Sequence, residues 1–498
     1  MAALLRRFLP LVALAIAALW LRTHDLARRP MHADEANQAV KFGQLLESGH
    51  YAFDPSDHHG PTLYYAALPI AWWRGEHSLA AIDETTVRLV PAIAGTLAVL
   101  LLYVLALPLG RLAAFVAAAL LAVAPPAVYY SRYFIQETLL LTFALGAFVA
   151  ARAWWRTDHL RWAAIAGACV GLMQATKASA PLFWGAALIA SLLVLRIEKT
   201  LPPTPKARIA PALGVALAAA AAIFVLFYSS FGTHWSGVRD AFAALGQGAQ
   251  RATGPSGHEK PWFYYLQLFA WVRNGGLVFQ QLAFLALAAA GAALAWTRLP
   301  AAAERSHPTS HYAGRHLLRW AALSTLLVVI ALSVVPYKTP WHAIHLVPGF
   351  ALLAAGALAF IPRAWLALGL AAAIVFLQFK QTQLAVFLRP ADARNPYAYV
   401  HSSPDVRKVR ALAATALERQ PNGVIRIVSE EYWPLPWYLR DVPRVGYWTT
   451  IPDDCDGALV IASASHADEV RSRLHGRYRE SFLGLRPGFL CVVFTPAP

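Results

Sequence analysis

Residues 85–107 read TTVRLVPAIAGTLAVLLLYVLAL, with Arg88 the one charged side chain in the stretch. A helix rises 1.5 Å per residue, so about 20 apolar residues cross the roughly 30 Å hydrocarbon core of a bilayer. Similar runs recur outward from this one, at 4–22, 111–129, 134–153, 161–177, 180–196, 209–230, 275–297, 318–336, 345–361 and 364–380. The chain as a whole is 58% hydrophobic and 14% charged, with a mean hydropathy of +0.46. A soluble domain carries about 25% charged residues. The expected fold is an α-helical polytopic membrane protein with about eleven transmembrane helices. The first run follows Arg6 and Arg7, and no small-residue cleavage pattern comes after it, so it reads as a retained span. The apolar stretch Pro61 to Trp73 is too short to cross and reads as a re-entrant or interfacial helix.

The net charge is +16. Basic residues cluster in short loops between apolar runs, which is the positive-inside pattern of a membrane protein and disfavours a nucleic-acid binder. With Arg6 and Arg7 in the cytoplasm, alternation places four further basic groups there. They are Arg111; Arg152, Arg156 and Arg161; Arg196, Lys199, Lys206 and Arg208; and Arg298, Arg305, Arg315 and Arg319. Pro202, Pro203 and Pro205 mark a cytoplasmic linker. Segments 23–84, 129–136, 231–274 and 337–344 then face outward, as does everything after Lys380. Two domains are expected: a membrane domain over 1–380 and a small extracytoplasmic α/β domain over 381–498. The tail holds 12 of the 27 acidic residues. In it Asp405 to Arg419 reads as a helix, and Val424–Ser429, Ala458–Ala462 and Phe489–Phe494 read as buried strands. Cys455 and Cys491 lie in this tail, and sequence leaves open whether they pair or stay as two thiols.

Ionisable groups are rare in the membrane half, so each is a candidate for function. Nine of its 15 acids fall between Asp25 and Glu84. His32-Ala33-Asp34-Glu35 precedes an amphipathic helical face, with Asp34 expected to cap the helix and Glu35 to lie in its first turn. Capping alone is a sufficient reason for acids there. Glu137 is the only acid between Glu84 and Asp158, and it lies at the outer end of the fourth run. Its plainer reading is an ion pair with Arg132. The chain has eight lysines against 35 arginines. Lys177 and Lys338 stand at outer ends of apolar runs, against the positive-inside bias. They point to an anion at headgroup depth, such as a lipid phosphate, unless they simply snorkel. Carboxylates from two outer loops and cations from two others would suit transfer of a group from a phosphate leaving group.

These residues carry a resemblance. Asp34-Glu35 in the first outer loop and an acid in the second resemble the GT-C superfamily of polyprenyl-phosphate-sugar glycosyltransferases. That superfamily includes protein O-mannosyltransferases and the transferases that add aminoarabinose to lipid A. The chain is most similar to a prokaryotic branch of flippase-activity-associated membrane proteins. The matching residues are His32-Ala33-Asp34-Glu35-Ala36, Tyr51-Ala52-Phe53-Asp54-Pro55, His59-Gly60-Pro61-Thr62-Leu63-Tyr64-Tyr65, Ser131-Arg132-Tyr133 and Lys338-Thr339-Pro340-Trp341. Thr176-Lys177 is similar to the lysine motif of the aminoarabinose transferases. The likeness runs over most of the membrane half.

The resemblance implies an inverting transfer at an outward cavity on a bacterial inner membrane, from a polyprenyl-phosphate-linked sugar to a protein, lipid or glycan. Asp34 would be the general base or orient the acceptor, with Glu35 supporting it and Glu137 as second acid. The superfamily more often has Asp at that second position. Lys177, Lys338 and Arg132 would hold the donor phosphate. His32, Asp54, His59, Tyr64, Tyr65, Trp341 and His342 would line the substrate. The metal stays open: a divalent cation (Mg, Mn or Zn), if used, would fall to Asp34 and Glu137. His58 and His59 beside Asp57, and His342 with His345, are too weakly spaced to argue a metal site on their own. Tyr264, Tyr265 and Trp262 fit an interfacial aromatic belt before a substrate groove. Two other readings remain at this stage: a lipid-linked-sugar transporter or flippase component, and a non-catalytic membrane scaffold. No internal repeat of the kind common in transporters is visible.

Overall fold

The computed structural model describes residues 2–57, 59–198, 206–254, 257–297 and 308–497. His58, Lys199, Arg298, Arg305 and the Pro202–Pro205 linker therefore lie outside the described residues. The protein is mostly helical with a small C-terminal sheet domain. Among the described residues, seven helices are long and apolar enough to cross a membrane: Glu84–Leu109, Glu137–Thr157, Ala180–Glu198, Arg208–Tyr228, Ala313–Val334, Pro340–Ala359 and Ala364–Leu388. Four shorter apolar helices, Leu9–Thr23, Arg111–Val123, Leu160–Gln174 and Leu282–Leu294, fall at the remaining expected runs. The stretch after Pro61 is a single short helix, Thr62–Trp73.

The eighth run differs from its reading. It begins on the turn of a β-hairpin, β1 (Trp271–Asn274) and β2 (Leu277–Gln280), and becomes helical only after β2. Gly275 and Gly276 have φ of 50° and 82°, which is the two-residue turn that matches strand twist and favours glycine at both positions. Leu277 to Phe279 are apolar, so hydropathy alone merges the strand with the helix behind it.

The chain divides into two compact units, and both are discontinuous. One comprises Met1–His24, His50–Ala66 and Arg88–Leu388; the other comprises Asp25–Gly49, Ala67–Val87 and Arg389–Pro498. Two pieces of the segment 23–84 and its flank thus group with the C-terminal part. Hydrogen bonds inside this second unit explain why. Met31 N–H donates to the Tyr438 hydroxyl (2.9 Å), Trp437 Nε1 to Glu84 Oε1 (3.1 Å) and Arg440 to the Ile82 carbonyl (2.8 Å).

In the first unit, glycines let backbones approach closely. A Cβ on Gly167 would lie 2.0 Å from the Ala216 carbonyl oxygen, and one on Gly171 would lie 2.6 Å from that of Ala220. This is small-xxx-small packing, which membrane helices use in place of a hydrophobic drive. Pro125 and Pro126 interrupt the helix Arg111–Val123 and leave its last carbonyls without helical partners. Buried Arg22 donates to the Ala122 (3.0 Å) and Leu121 (3.4 Å) carbonyls, and Thr382 to that of Val123 (2.6 Å). An arginine inside an apolar helix is accounted for by this end-capping. Arg22→Met should leave two buried carbonyls unsatisfied and lower stability by about 2–4 kcal/mol. Thermal unfolding in detergent reads this directly.

In the second unit, five strands form one sheet in the order β4-β3-β5-β7-β6. They are β3 (Ile425–Val428), β4 (Val445–Trp448), β5 (Leu459–Ser463), β6 (Tyr478–Arg486) and β7 (Phe489–Pro496). β4 and β5 flank β3 in parallel, and β7 and β6 follow antiparallel. β4 and β6 were not evident in the sequence; β6 is mostly exposed and lacks the buried apolar run that marked the others. Val428, Val460, Ala462, Val470 and Phe494 form a core. The expected helix is present as Pro404–Arg407 followed by Lys408–Arg419, with Val406, Val409 and Ala413 buried. Cys455 and Cys491 are two buried free thiols rather than a disulfide, and burial pushes the Cys491 thiol up to about 12.

Candidate functional site

Five chain segments of the first unit meet around Glu137. The helix Glu137–Thr157 begins at this residue, so its carboxylate sits at a helix N-terminus, where the dipole favours negative charge. It is 2% exposed and ion-paired with Lys177 Nζ. Lys177 lies just past the helix Leu160–Gln174. Its Nζ is also 3.4 Å from His342 Nε2, and His342 Nε2 is 3.9 Å from Glu137 Oε1. His342 belongs to the 3-10 turn Pro340–Leu346 that leads into a buried helix. Its other ring nitrogen is 3.2 Å from the Tyr265 hydroxyl, which donates to the Thr339 carbonyl at 3.1 Å. Burial pushes the Tyr265 hydroxyl well above its ordinary range, so it stays a donor.

The fifth segment is the loop around His59. Gly60 N–H donates to the Thr176 carbonyl (3.1 Å), Thr62 N–H to that of Ala175 (3.3 Å), and the Thr62 and Thr176 hydroxyls are 2.7 Å apart. Only glycine permits this contact, because a Cβ at residue 60 would lie 2.1 Å from the Ala175 carbonyl oxygen. Gly60→Ala should push the loop off the Lys177 turn and destabilise the protein by about 1–3 kcal/mol. Unfolding temperature checks the cost, and hydrogen exchange at residues 60 and 62 checks the place.

Other expected residues of this unit have structural partners. Arg132 is buried, donates to the Leu21 (3.2 Å) and His24 (2.6 Å) carbonyls, and lies over the Phe387 ring at 5.1 Å. The ion pair of Glu137 is with Lys177, not with Arg132 as spacing suggested. Lys338 Nζ is buried and donates to the Val335 carbonyl. Tyr64 is fully buried against Tyr51, with ring centroids 4.7 Å apart. The Tyr65 hydroxyl is 2.6 Å from Ser230 Oγ. Asp54 accepts from the Ser56 N–H (2.8 Å) and hydroxyl (2.6 Å) in a tight turn. Trp341 lies edge-on to Tyr130, with centroids 6.5 Å apart.

The expected acids Asp34 and Glu35 lie in the second unit. The helix there is Ala33–Ser48, and its cap is His32 rather than Asp34. His32 Nδ1 accepts from the Asp34 N–H (3.1 Å), while Nε2 faces the Tyr399 carbonyl at 3.2 Å. Glu35 accepts from the His32 N–H, and both its oxygens take Arg29 at 3.1 Å, fully buried. Glu35 is thus held as a structural carboxylate. The Asp34 side chain stays 53% exposed.

Among the described residues, no three His, Cys, Asp or Glu side chains gather as a metal site requires. The sequence reading missed the Thr62–Thr176 hydroxyl pair and the close approach at Gly60. Gly60 followed by Pro61 was the one local signal.

The chain shares its fold with ArnT from Cupriavidus metallidurans, solved bound to undecaprenyl phosphate. The TM-score is 0.63 at 16% identity, over 97% of each chain. This is a GT-C fold. A second structure with the GT-C fold, the archaeal oligosaccharyltransferase AglB from Archaeoglobus fulgidus in complex with an inhibitory peptide and a dolichol-phosphate, superposes with a TM-score of 0.56 at 14% identity. That match covers 93% of this chain and 70% of AglB. The sequence model of the dolichyl-phosphate-mannose-protein mannosyltransferase family matches residues 70–230, a part of the GT-C fold that contains Glu137 and Lys177. No curated protein sequence matches the chain significantly.

Proposed function

We propose that the chain is an inverting glycosyltransferase that moves a sugar from a polyprenyl-phosphate donor to an acceptor hydroxyl or amine, on the extracytoplasmic face of a bacterial inner membrane. The observation that carries this reading is the buried Glu137–Lys177–His342 cluster at a helix N-terminus of a GT-C fold. A carboxylate at the end of an apolar helix is costly, so a cluster maintained there favours a functional role. The Lys177 ammonium has three donors; Glu137 takes one and His342 Nε2, at 3.4 Å, a second. The third is available to a phosphate oxygen. Lys338 adds a second cation to the same role.

In the reaction, the acceptor oxygen or nitrogen bonds to the anomeric carbon as the bond from that carbon to the phosphate oxygen breaks. The electron pair of that bond leaves with the phosphate, and the lysines stabilise the growing charge. The acceptor proton goes to a carboxylate, which the resemblance assigns to Asp34. ArnT was solved with undecaprenyl phosphate and AglB with dolichol-phosphate and a peptide. These support a lipid-linked donor here and leave the acceptor to be found.

Lys177→Met should weaken binding of undecaprenyl phosphate to the protein in nanodiscs about ten-fold or more, the loss expected for one charge-assisted hydrogen bond. Unchanged affinity would remove Lys177 from the phosphate site.

A further inference from the structure

The sheet of the second unit reverses direction at one place. The chain leaving the carboxyl end of β3 goes to β4 on one side, and the chain leaving β5 goes to β6 and β7 on the other. In open α/β sheets, the crevice outside such a pair of carboxyl ends is where ligands bind. Polar groups from both strand ends meet there. Glu430 follows β3; Ser463 ends β5, with Ser465 and His466 just beyond. Ser463 Oγ donates to Glu430 at 3.0 Å and Ser465 Oγ at 3.1 Å, and the two hydroxyls are 2.8 Å apart. His466 Nε2 is 3.1 Å from Glu430 Oε1. His466 Nδ1 is buried without a hydrogen-bond partner among the described residues, which places the ring proton on the nitrogen facing the carboxylate.

This arrangement fixes Glu430 but does not bury it: its side chain is 48% exposed. Its own backbone N–H first, with the two serines and His466, holds the carboxyl below the usual carboxylate range, against an upward push from burial. An aromatic cluster begins two residues further along the chain. Tyr432 and Tyr447 rings are 5.1 Å apart, and Trp433 is 6.1 Å from Tyr432. All three are partly exposed. Among the described residues neither serine hydroxyl is hydrogen-bonded to the His466 ring, so the cluster is not a nucleophile–base pair. The carboxylate disfavours an anionic ligand. Its neighbour Glu431 is paired with Arg486, so a single carboxylate faces the crevice, too few for a cation. A fixed carboxylate, a pair of hydroxyls that can donate or accept, and flat apolar rings complement the alternating hydroxyl and C–H faces of a sugar.

We propose that the crevice at Glu430, Ser463 and Ser465, together with Tyr432 and Tyr447, is a binding site for a neutral saccharide. The site does not depend on the transfer reaction proposed above. The test uses the full chain in nanodiscs, in the Glu137→Gln background so that the transfer site contributes little. The probes are α-1,2-mannobiose and N,N′-diacetylchitobiose, followed by saturation-transfer difference NMR. At least one disaccharide is expected to bind, and Ser465→Ala or Tyr432→Ala should each weaken it about ten-fold, with unchanged unfolding temperature. Glu430→Gln should do the same; Ser465 is exposed, so its variant decides the matter if the Glu430 variant fails to fold. Absence of binding by both sugars, or binding untouched by Ser465→Ala and Tyr432→Ala, overturns the proposal. If the transfer reading fails, binding in the Glu137→Gln background is unaffected, which separates the two.

Discussion

Glu137→Gln should lower sugar transfer by about 10²–10³-fold, the loss seen when one fixed electrostatic element is removed from a transition state. The structural cost must be separated from the catalytic one. Removing the carboxylate leaves the Lys177 ammonium in a nearly buried position without its counter-ion. Breaking such a pair from one side costs about 3–5 kcal/mol. Replacing both partners with neutral groups costs far less, because no charge is stranded. The informative protein is therefore the double variant, Glu137→Gln with Lys177→Met. It should recover most of the unfolding temperature lost in Glu137→Gln alone, yet transfer no sugar. A pair that served only to hold two helices together would behave differently: the double variant would regain activity with stability. Scanning fluorimetry and a transfer assay on the same preparations distinguish the cases.

Asp34→Asn should reduce transfer by about 10²–10⁴-fold, the usual range for a general base, while leaving stability within about 0.5 kcal/mol of wild type. The second expectation follows from the local structure. The helix Ala33–Ser48 takes its cap from the His32 ring and the Glu35 carboxylate, so the Asp34 side chain is not needed to start it. At 53% exposure it is not part of a core. Loss of transfer with an intact unfolding transition would assign the effect to chemistry. Loss of both would return Asp34 to a folding role. His32→Ala gives the contrasting pattern: about 1 kcal/mol of stability lost with the cap.

The membrane half was legible because apolar runs and rare charges are strong signals. Glu137 and Lys177 each stood out as a charge in the wrong surroundings. Their mutual pairing did not, since 40 residues and a helix turn separate them, and local spacing favoured Arg132 as the partner of Glu137. Arg132 instead serves carbonyls at the end of another helix, a contact that no sequence period encodes. Asp34 was expected to cap its helix because Asp is among the best N-cap residues. A histidine two residues earlier fills that role, through a ring nitrogen that propensity scales do not anticipate. The hairpin at Trp271–Gln280 was hidden by hydropathy, although Gly275-Gly276 marked the turn. Asp25–Gly49 and Ala67–Val87 join the C-terminal part through hydrogen bonds spanning over 350 residues, which local patterns cannot show.

The most direct test of the central claim is a mass-spectrometric comparison of envelope glycans and lipid-linked sugars. Cells would carry the wild type, Asp34→Asn or Glu137→Gln protein at matched membrane levels. The account predicts that one sugar disappears from one acceptor in both variants while its polyprenyl-phosphate donor accumulates. Unchanged glycans and an unchanged donor pool in both variants would contradict it, leaving the two carboxylates as structural groups in a GT-C fold that does not transfer sugar.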